Sequence, residues 1–316
     1  MNLLENFINS LYEKINKRSE LVLYIADVLS IERESANRRL NGKVQFTIQE
    51  MGKLCKKLGI SIDCLMNNKN PNILPSLTTK TPMAGHLDDL VLGLEFETRK
   101  LEDICLEPVE LGAAFSSIPL EFFSSYPTLE KFMYYKWGYF HVGSSEYDNY
   151  SSWEIPERLK KANQRLMMID RKIKNRTYIW NPATVWSLAK EIKYFNNAHT
   201  IYNQDIDNIK ADLHKMLDNI ESKAKMSATQ SGSKTEIYIS IINHGINLCY
   251  FKTENNFYIT FDNYFLSLDY YDNRAYYSNL QEWITSMKKV STLISGSGAM
   301  ERRLFFEEQH NYIKDI

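Results

Sequence analysis

Apolar residues recur three and four positions apart along much of the chain, the spacing that gives a helix one buried face. Leu3, Leu4, Phe7, Ile8, Leu11 and Ile15 predict a first helix over 2–15. Ser19 is placed to cap a second, with Leu21, Val22, Ile25, Ala26 and Leu29 turned inward. A third runs from Glu32 to Leu40 and stops at Asn41-Gly42. Thr47, with Glu50 three positions on, forms a capping box for a fourth; its apolar positions are Ile48, Met51, Leu54, Cys55 and Leu58, and Gly59 ends it. Ser61 caps a short fifth with Ile62, Leu65 and Met66 apolar. Five short helices within residues 1–68 describe a small all-α domain.

From Asn67 to Gly85 the periodicity disappears. Asn67, Asn68, Asn70, Pro71 and Asn72 favour turns, and Pro75, Pro82 and Gly85 forbid a long helix. Residues 69–86 therefore read as a linker. Helical spacing returns over Leu87–Ile104, Leu129–Phe140, Pro156–Lys174, Ala183–Phe195 and Asp205–Ala224, and Ser227–Lys234 reads as a loop. The pattern then changes to short runs rich in Ile, Tyr and Phe: Glu236–Ile242, Asn247–Lys252, Phe257–Phe261 and Phe265–Tyr270. Turn-forming Asn243-His244-Gly245, Asn255-Asn256 and Asp262-Asn263 separate them, which predicts an antiparallel meander. Two helices close the chain, Asn279–Ile294 and Ala299–Ile313. The expected fold class is α+β: a five-helix domain over 1–68, then a larger helical domain over 87–316 with a C-terminal antiparallel meander.

Composition excludes several classes. The 316 residues are 44% hydrophobic and 24% charged, as in an ordinary globular chain. The longest uncharged apolar runs, such as Leu21 to Ala26, fall far short of the ~20 residues that span a bilayer. Met1 to Leu11 carries Glu5 and no basic cluster, so neither a secretory signal nor a membrane partner is expected. The four cysteines, Cys55, Cys64, Cys105 and Cys249, form no C-x-x-C pair and point to free thiols in a reducing cytoplasm. Net charge is −1 overall, but residues 1–68 hold 10 Lys/Arg against 8 Asp/Glu. That slight excess of +2 permits DNA binding there and argues against an all-over nucleic-acid coat.

The third helix is short and polar. Only Ala36 and Leu40, four apart, give it a packing edge, while Arg33, Arg38 and Arg39 face out. A helix of this width fits the DNA major groove, where Arg can hold guanine by two hydrogen bonds, Glu can accept from cytosine and Asn can pair with adenine. The alternative is that the arginines pair with Glu32 and Glu34 along a solvated helix.

The segment Tyr24–Lys43 resembles the helix-turn-helix of the Xre family, the phage-repressor-like transcriptional regulators. Ala26 takes the place of that family's small residue at the helix crossing, Leu29 and Ile31 bracket the turn, and Asn41-Gly42-Lys43 matches its exit from the recognition helix. Leu54 to Leu65 is similar to its fourth and fifth helices. The resemblance covers about residues 1–68. It implies that Glu32, Arg33, Glu34 and Arg38 face base edges, and that Asn37, Arg39 and Lys43 meet phosphates or the groove wall. It also implies double-stranded DNA as a partner and a homodimer on inverted repeats. The sequence departs from the family at two positions: Ser30 stands at the usual turn glycine, and Val22 at the usual phosphate-binding glutamine. Lys17, Arg18 or the backbone at Ser19 must then anchor phosphate.

The large domain offers less. None of His86, His141, His199, His214, His244 and His310 lies at metal-ligand spacing, and there is no nucleophile elbow or Walker sequence. Neither a cofactor nor a catalytic activity is expected. His244 reads as part of a hairpin turn. Ser295-Gly296-Ser297-Gly298 before a helix could hold an anion, but reads more simply as a helix–helix connection. Dense aromatics, among them Tyr134, Tyr135, Trp137, Tyr258 and Tyr277, suit a core, a subunit contact or a ligand pocket. The sequence thus describes a cytoplasmic transcriptional regulator whose C-terminal domain dimerises, binds a small-molecule effector, or both. Two alternatives stand: an enzyme targeted to DNA by its helix-turn-helix domain, and a protein-interaction module with a degenerate helix-turn-helix.

Overall fold

Four-residue spacing of apolar side chains builds the N-terminal helices. The structure, a computed structural model, describes residues 3–60, 62, 65, 87–143, 147–226, 234–245, 247–263, 267–271 and 274–316. The chain divides into two compact units, Met1–Thr78 and Thr79–Ile316. In the first, α1 (Leu3–Lys14), α2 (Arg18–Leu29), α3 (Arg33–Leu40) and α4 (Ile48–Leu58) follow one another. Their core is Phe7 and Leu11 from α1, Leu21, Ile25 and Leu29 from α2, Ala36 and Leu40 from α3, and Met51, Leu54 and Cys55 from α4, with Phe46 and Leu65. The rings of Phe7 and Phe46 meet edge to face at 5.2 Å. Asn6, itself buried, donates to the Leu65 carbonyl at 2.8 Å.

Several details differ from the sequence reading. Helix α2 begins at Arg18, with Lys17 at its N-cap and no side-chain cap, so Ser19 already lies inside it. Only three residues separate Lys14 from Arg18, and the chain must turn before Ser19. Ile48, expected on the apolar face of α4, stands 86% exposed at its first position. Most of the fifth helix from Ser61, and the linker at 69–86, lie outside the described residues.

The second unit is a seven-stranded mixed sheet in the order β6-β5-β4-β1-β2-β3-β7. The strands are β1 (Glu110–Phe115), β2 (Asn175–Trp180), β3 (Lys234–Ile239), β4 (Asn247–Lys252), β5 (Phe257–Asn263), β6 (Ser267–Tyr271) and β7 (Thr292–Leu293). β1, β2 and β3 run parallel, pairing Leu111 with Arg176 and Tyr178 with Ile237. β4 lies antiparallel to β1, and β4, β5 and β6 form an antiparallel meander. This corrects the expectation of one C-terminal meander: β3 does not pair with β4, and β1 and β2 come from the region read as helical. The segment around His244 is accordingly a connection between unpaired strands and not a hairpin turn.

Helices α5 (Leu87–Ile104), α6 (Leu120–Phe123), α7 (Pro127–His141), α8 (Glu157–Asp170), α9 (Thr184–Asn197), α10 (Asn203–Lys225) and α12 (Ala299–Lys314) cover one face; α11 (Arg274–Val290) covers the other. Alternate strand residues divide accordingly. Leu111, Ala113, Tyr178, Trp180, Cys249 and Phe251 face the larger core. Ala114, Ile179, Leu248 and Tyr250 face α11, beside Leu280, Ile284 and Met287. Gly112 is dictated by contact, since a Cβ there would lie 2.3 Å from the ring of Tyr250. The helix expected to run through Ile294 stops at Val290, because Thr292-Leu293 adds an edge strand on β3. Among the described residues no helix is long and apolar enough to cross a membrane.

Candidate nucleic-acid interface

The link between α2 and α3 is a left-handed turn. Ser30 takes φ 54° and ψ 48°, its N–H donates to the Asp27 carbonyl at 3.2 Å, and the Ile31 N–H donates to Ala26 at 3.0 Å. This pair of bonds is the Schellman arrangement, which glycine normally serves and which costs an L-residue free energy. Leu29 is buried before the turn and Ile31 half-buried after it. Glu32 then sits extended at the N-cap of α3. The far end closes the same way: Gly42 has φ +71°, and Lys43 donates to Arg38 at 2.9 Å. Ala36 is fully buried where α3 meets the core, whereas Ala26 is only half-buried.

The seven residues expected at DNA separate into two groups. Glu32, Arg33, Glu34, Arg38 and Lys43 are exposed. Among the described residues none of these five side chains has an ion pair, so the pairing of Arg33 and Arg38 with Glu32 and Glu34 is absent. The other two are tied into the domain. Arg39 grips Glu50 of α4 with two hydrogen bonds, Nε to Oε2 at 3.2 Å and Nη2 to Oε1 at 2.9 Å, both side chains being more than four-fifths buried. Asn37 is half-buried and accepts from Arg18 at 2.9 Å.

Arg18 itself, a candidate phosphate anchor, also donates to the hydroxyl of Tyr12 and to Asn41. It joins the end of α1 and the start of α2 to the middle and the C-cap of α3. Lys17 pairs with Glu20 at 3.1 Å on the surface. Glu50 closes the expected capping box with Thr47 while holding Arg39. Burial alone would raise its carboxyl; the hydrogen bond and charge of Arg39, with the Thr47 N–H, hold it below the ordinary range. The clamp residues Arg18 and Glu50 carried no signal of this role beyond the capping box, because their partners lie on other helices. The surface lysines Lys53, Lys56 and Lys57 on α4 are exposed cations that the helix-turn-helix pattern does not single out.

Residues 10–99 match the family model of the BetR domain. That is a helix-turn-helix-like family of DNA-binding domains, and the match begins within α1 and reaches into α5. It places a DNA-binding domain family at the N-terminus without singling out the Xre regulators. No curated protein and no solved structure matches the chain.

In the second unit no group of three or more His, Cys, Asp or Glu side chains among the described residues is arranged to hold a metal. Cys55 and Cys249 are buried and Cys105 half-buried, and burial raises all three thiols. Thiols so held are poor nucleophiles. The Ser295–Gly298 segment is an internally bonded connection: Ser295 Oγ accepts from the Ile237 N–H, and buried Arg302 donates to the carbonyls of Ile294 and Gly296. Its cation is spent on the loop's own backbone.

Proposed function

We propose that the protein is a sequence-specific DNA-binding transcriptional regulator that places α3 in the major groove. One observation carries the reading. Arg33, Glu34 and Arg38 stand exposed and unpaired on the outer face of a helix whose inner face is locked to its neighbours, within a segment that matches a DNA-binding domain family. Residues with these roles read base edges, and each bidentate contact of an arginine with guanine is worth about 1–3 kcal/mol of discrimination. Glu32, at the N-cap, lies beside them. Lys43 supplies charge for the phosphates, and Asn37 and Arg39 set the position of the reading face.

A single module of this size makes few contacts, so the functional unit is a homodimer on an inverted repeat, with half-sites about one DNA turn (34–36 Å) apart. The C-terminal unit supplies the dimer contacts, an effector site, or both, and shifts the dimer between geometries that fit and do not fit the repeat. No catalytic role is assigned to it.

The test uses full-length protein and fluorescence anisotropy on selected DNA. Arg33→Ala and Arg38→Ala should each lower affinity for the selected site by about tenfold or more, with unchanged melting temperature. Lys43→Ala should weaken all sequences alike and reduce the salt slope by about one. Undiminished specificity in both arginine variants would refute the assignment of α3.

A further inference from the structure

On the larger face of the sheet, α5, α6, α7 and α8 with β1, β4 and β5 line a partly open cavity of about 90 Å³. Leu101, Leu111, Ile118, Leu166 and Phe251 give it apolar walls. Polar side chains also line it: Glu97, Glu121, Asp170 and Tyr134, with Asn247, Cys249 and Thr260. Such a wall is costly to bury unless each group finds a partner.

Asp170 has one. Arg176 holds both of its oxygens, at 3.1 and 2.9 Å. Glu97 is 5% exposed and accepts from the Tyr258 hydroxyl at 3.2 Å, and Glu121 accepts from the Tyr178 hydroxyl at 3.0 Å. Among the described residues neither glutamate has an ion pair, and the guanidinium of Arg176 is committed to Asp170. Tyr134 is the second and independent sign. It is wholly buried, and among the described residues its hydroxyl has no hydrogen-bond partner. Desolvation raises the Glu97 and Glu121 carboxyls to about 7, with Asp170's charge adding to both, so a bound cation would readily ionise them.

These features select a ligand by elimination. Once ionised, the two carboxyls only accept hydrogen bonds and the Tyr134 hydroxyl can accept one, so a guest that donates serves all three at once. The excess of acids requires it to be positive, and the walls require an apolar body. A carboxylate or phosphate would meet like charge; a hydrocarbon would leave Tyr134 unpaired; a quaternary ammonium would donate nothing. The cavity is smaller than the ~150 Å³ that admits benzene, which limits the guest to about four or five non-hydrogen atoms.

We propose that this cavity binds a small primary amine as its ammonium, held by Glu97, Glu121 and Tyr134. This gives a place and a chemistry to the effector of the proposed function. Binding is measured without DNA, so failure here and failure of the DNA reading are separable.

The probe is n-butylammonium, with n-butanol and butyrate as controls of the same shape, added to the full-length chain in calorimetric titration and thermal melting. The amine should bind and raise the melting temperature by about 2 °C or more near saturation, and the two controls should not. Glu97→Gln and Tyr134→Phe should each weaken binding about tenfold. Tyr134→Phe keeps the ring and removes an unpaired hydroxyl, so it should melt at or above the wild-type temperature and remains interpretable if Glu97→Gln fails to fold. Three results would overturn the proposal: no binding of the amine, an equal shift with n-butanol, or undiminished binding in Tyr134→Phe.

Discussion

Arg33 and Arg39 lie on one short helix and meet different fates. Arg33 projects into solvent, while Arg39 is held by Glu50, eleven positions away on α4. Removing one partner of a largely buried pair leaves the other desolvated and uncompensated. Arg39→Met should therefore lower the stability of the N-terminal unit by about 1–3 kcal/mol in urea unfolding, whereas Arg33→Ala should stay within about 0.5 kcal/mol. Acid should have a related effect. The depressed Glu50 carboxyl stabilises the fold fully above its ordinary value of 4.5, and that share is lost as pH falls through the lower folded value. Glu97 has the opposite sign. Its carboxyl rises from 4.5 to about 7 on burial, so stability falls as pH climbs through that interval. The gap between the unfolding midpoints at about pH 5 and pH 8 should narrow in Glu97→Gln and stay open by the share of Glu121, whose carboxyl is raised to about 7 in the same way. The sequence marked all three arginines as DNA contacts because residue type alone cannot show which is already satisfied. The Arg39–Glu50 and Arg18–Asn37 pairs join different helices, and no helical spacing relates 39 to 50 or 18 to 37.

At the scale of elements, the turn at Ser30 decides how α3 leaves α2. A serine at φ 54° carries a cost that glycine avoids. Ser30→Gly should raise stability by up to about 1 kcal/mol, and Ser30→Val should lower it by more than that, as read by thermal melting. Gly112→Ala in β1 should destabilise the second unit by about 1–3 kcal/mol, because its methyl would enter the ring of Tyr250. The helices were legible because their caps and spacing are local: the box at Thr47–Glu50, Gly42, and the apolar repeats of α5, α7, α9 and α10. β1 and β2 were not. Glu110-Leu-Gly-Ala-Ala-Phe115 shows neither alternation nor β-branched residues, and its pairing with Asn175–Trp180 joins segments sixty-five positions apart. Parallel strands buried on both faces lose the alternation that betrays a surface strand. The one-residue break at Ser291 before β7 was likewise absorbed into the preceding helix, since only pairing with β3 marks Thr292-Leu293 as strand.

At the scale of the whole chain, a small helical unit with an exposed, unpaired outer face on α3 is joined in sequence to a larger α/β unit with an apolar-walled, acid-lined cavity. In the proposed function the first carries specificity and the second control. The central claim is that α3 reads base sequence. Selection of random-sequence DNA by the full-length protein, at two salt concentrations and beside the Arg33→Ala/Arg38→Ala double variant, tests it most directly. Enrichment of an inverted repeat by the wild type, lost in the variant at both salts, is the expected result. Binding that follows salt alone and ignores both substitutions would reduce α3 to a source of general electrostatic attraction and contradict the claim.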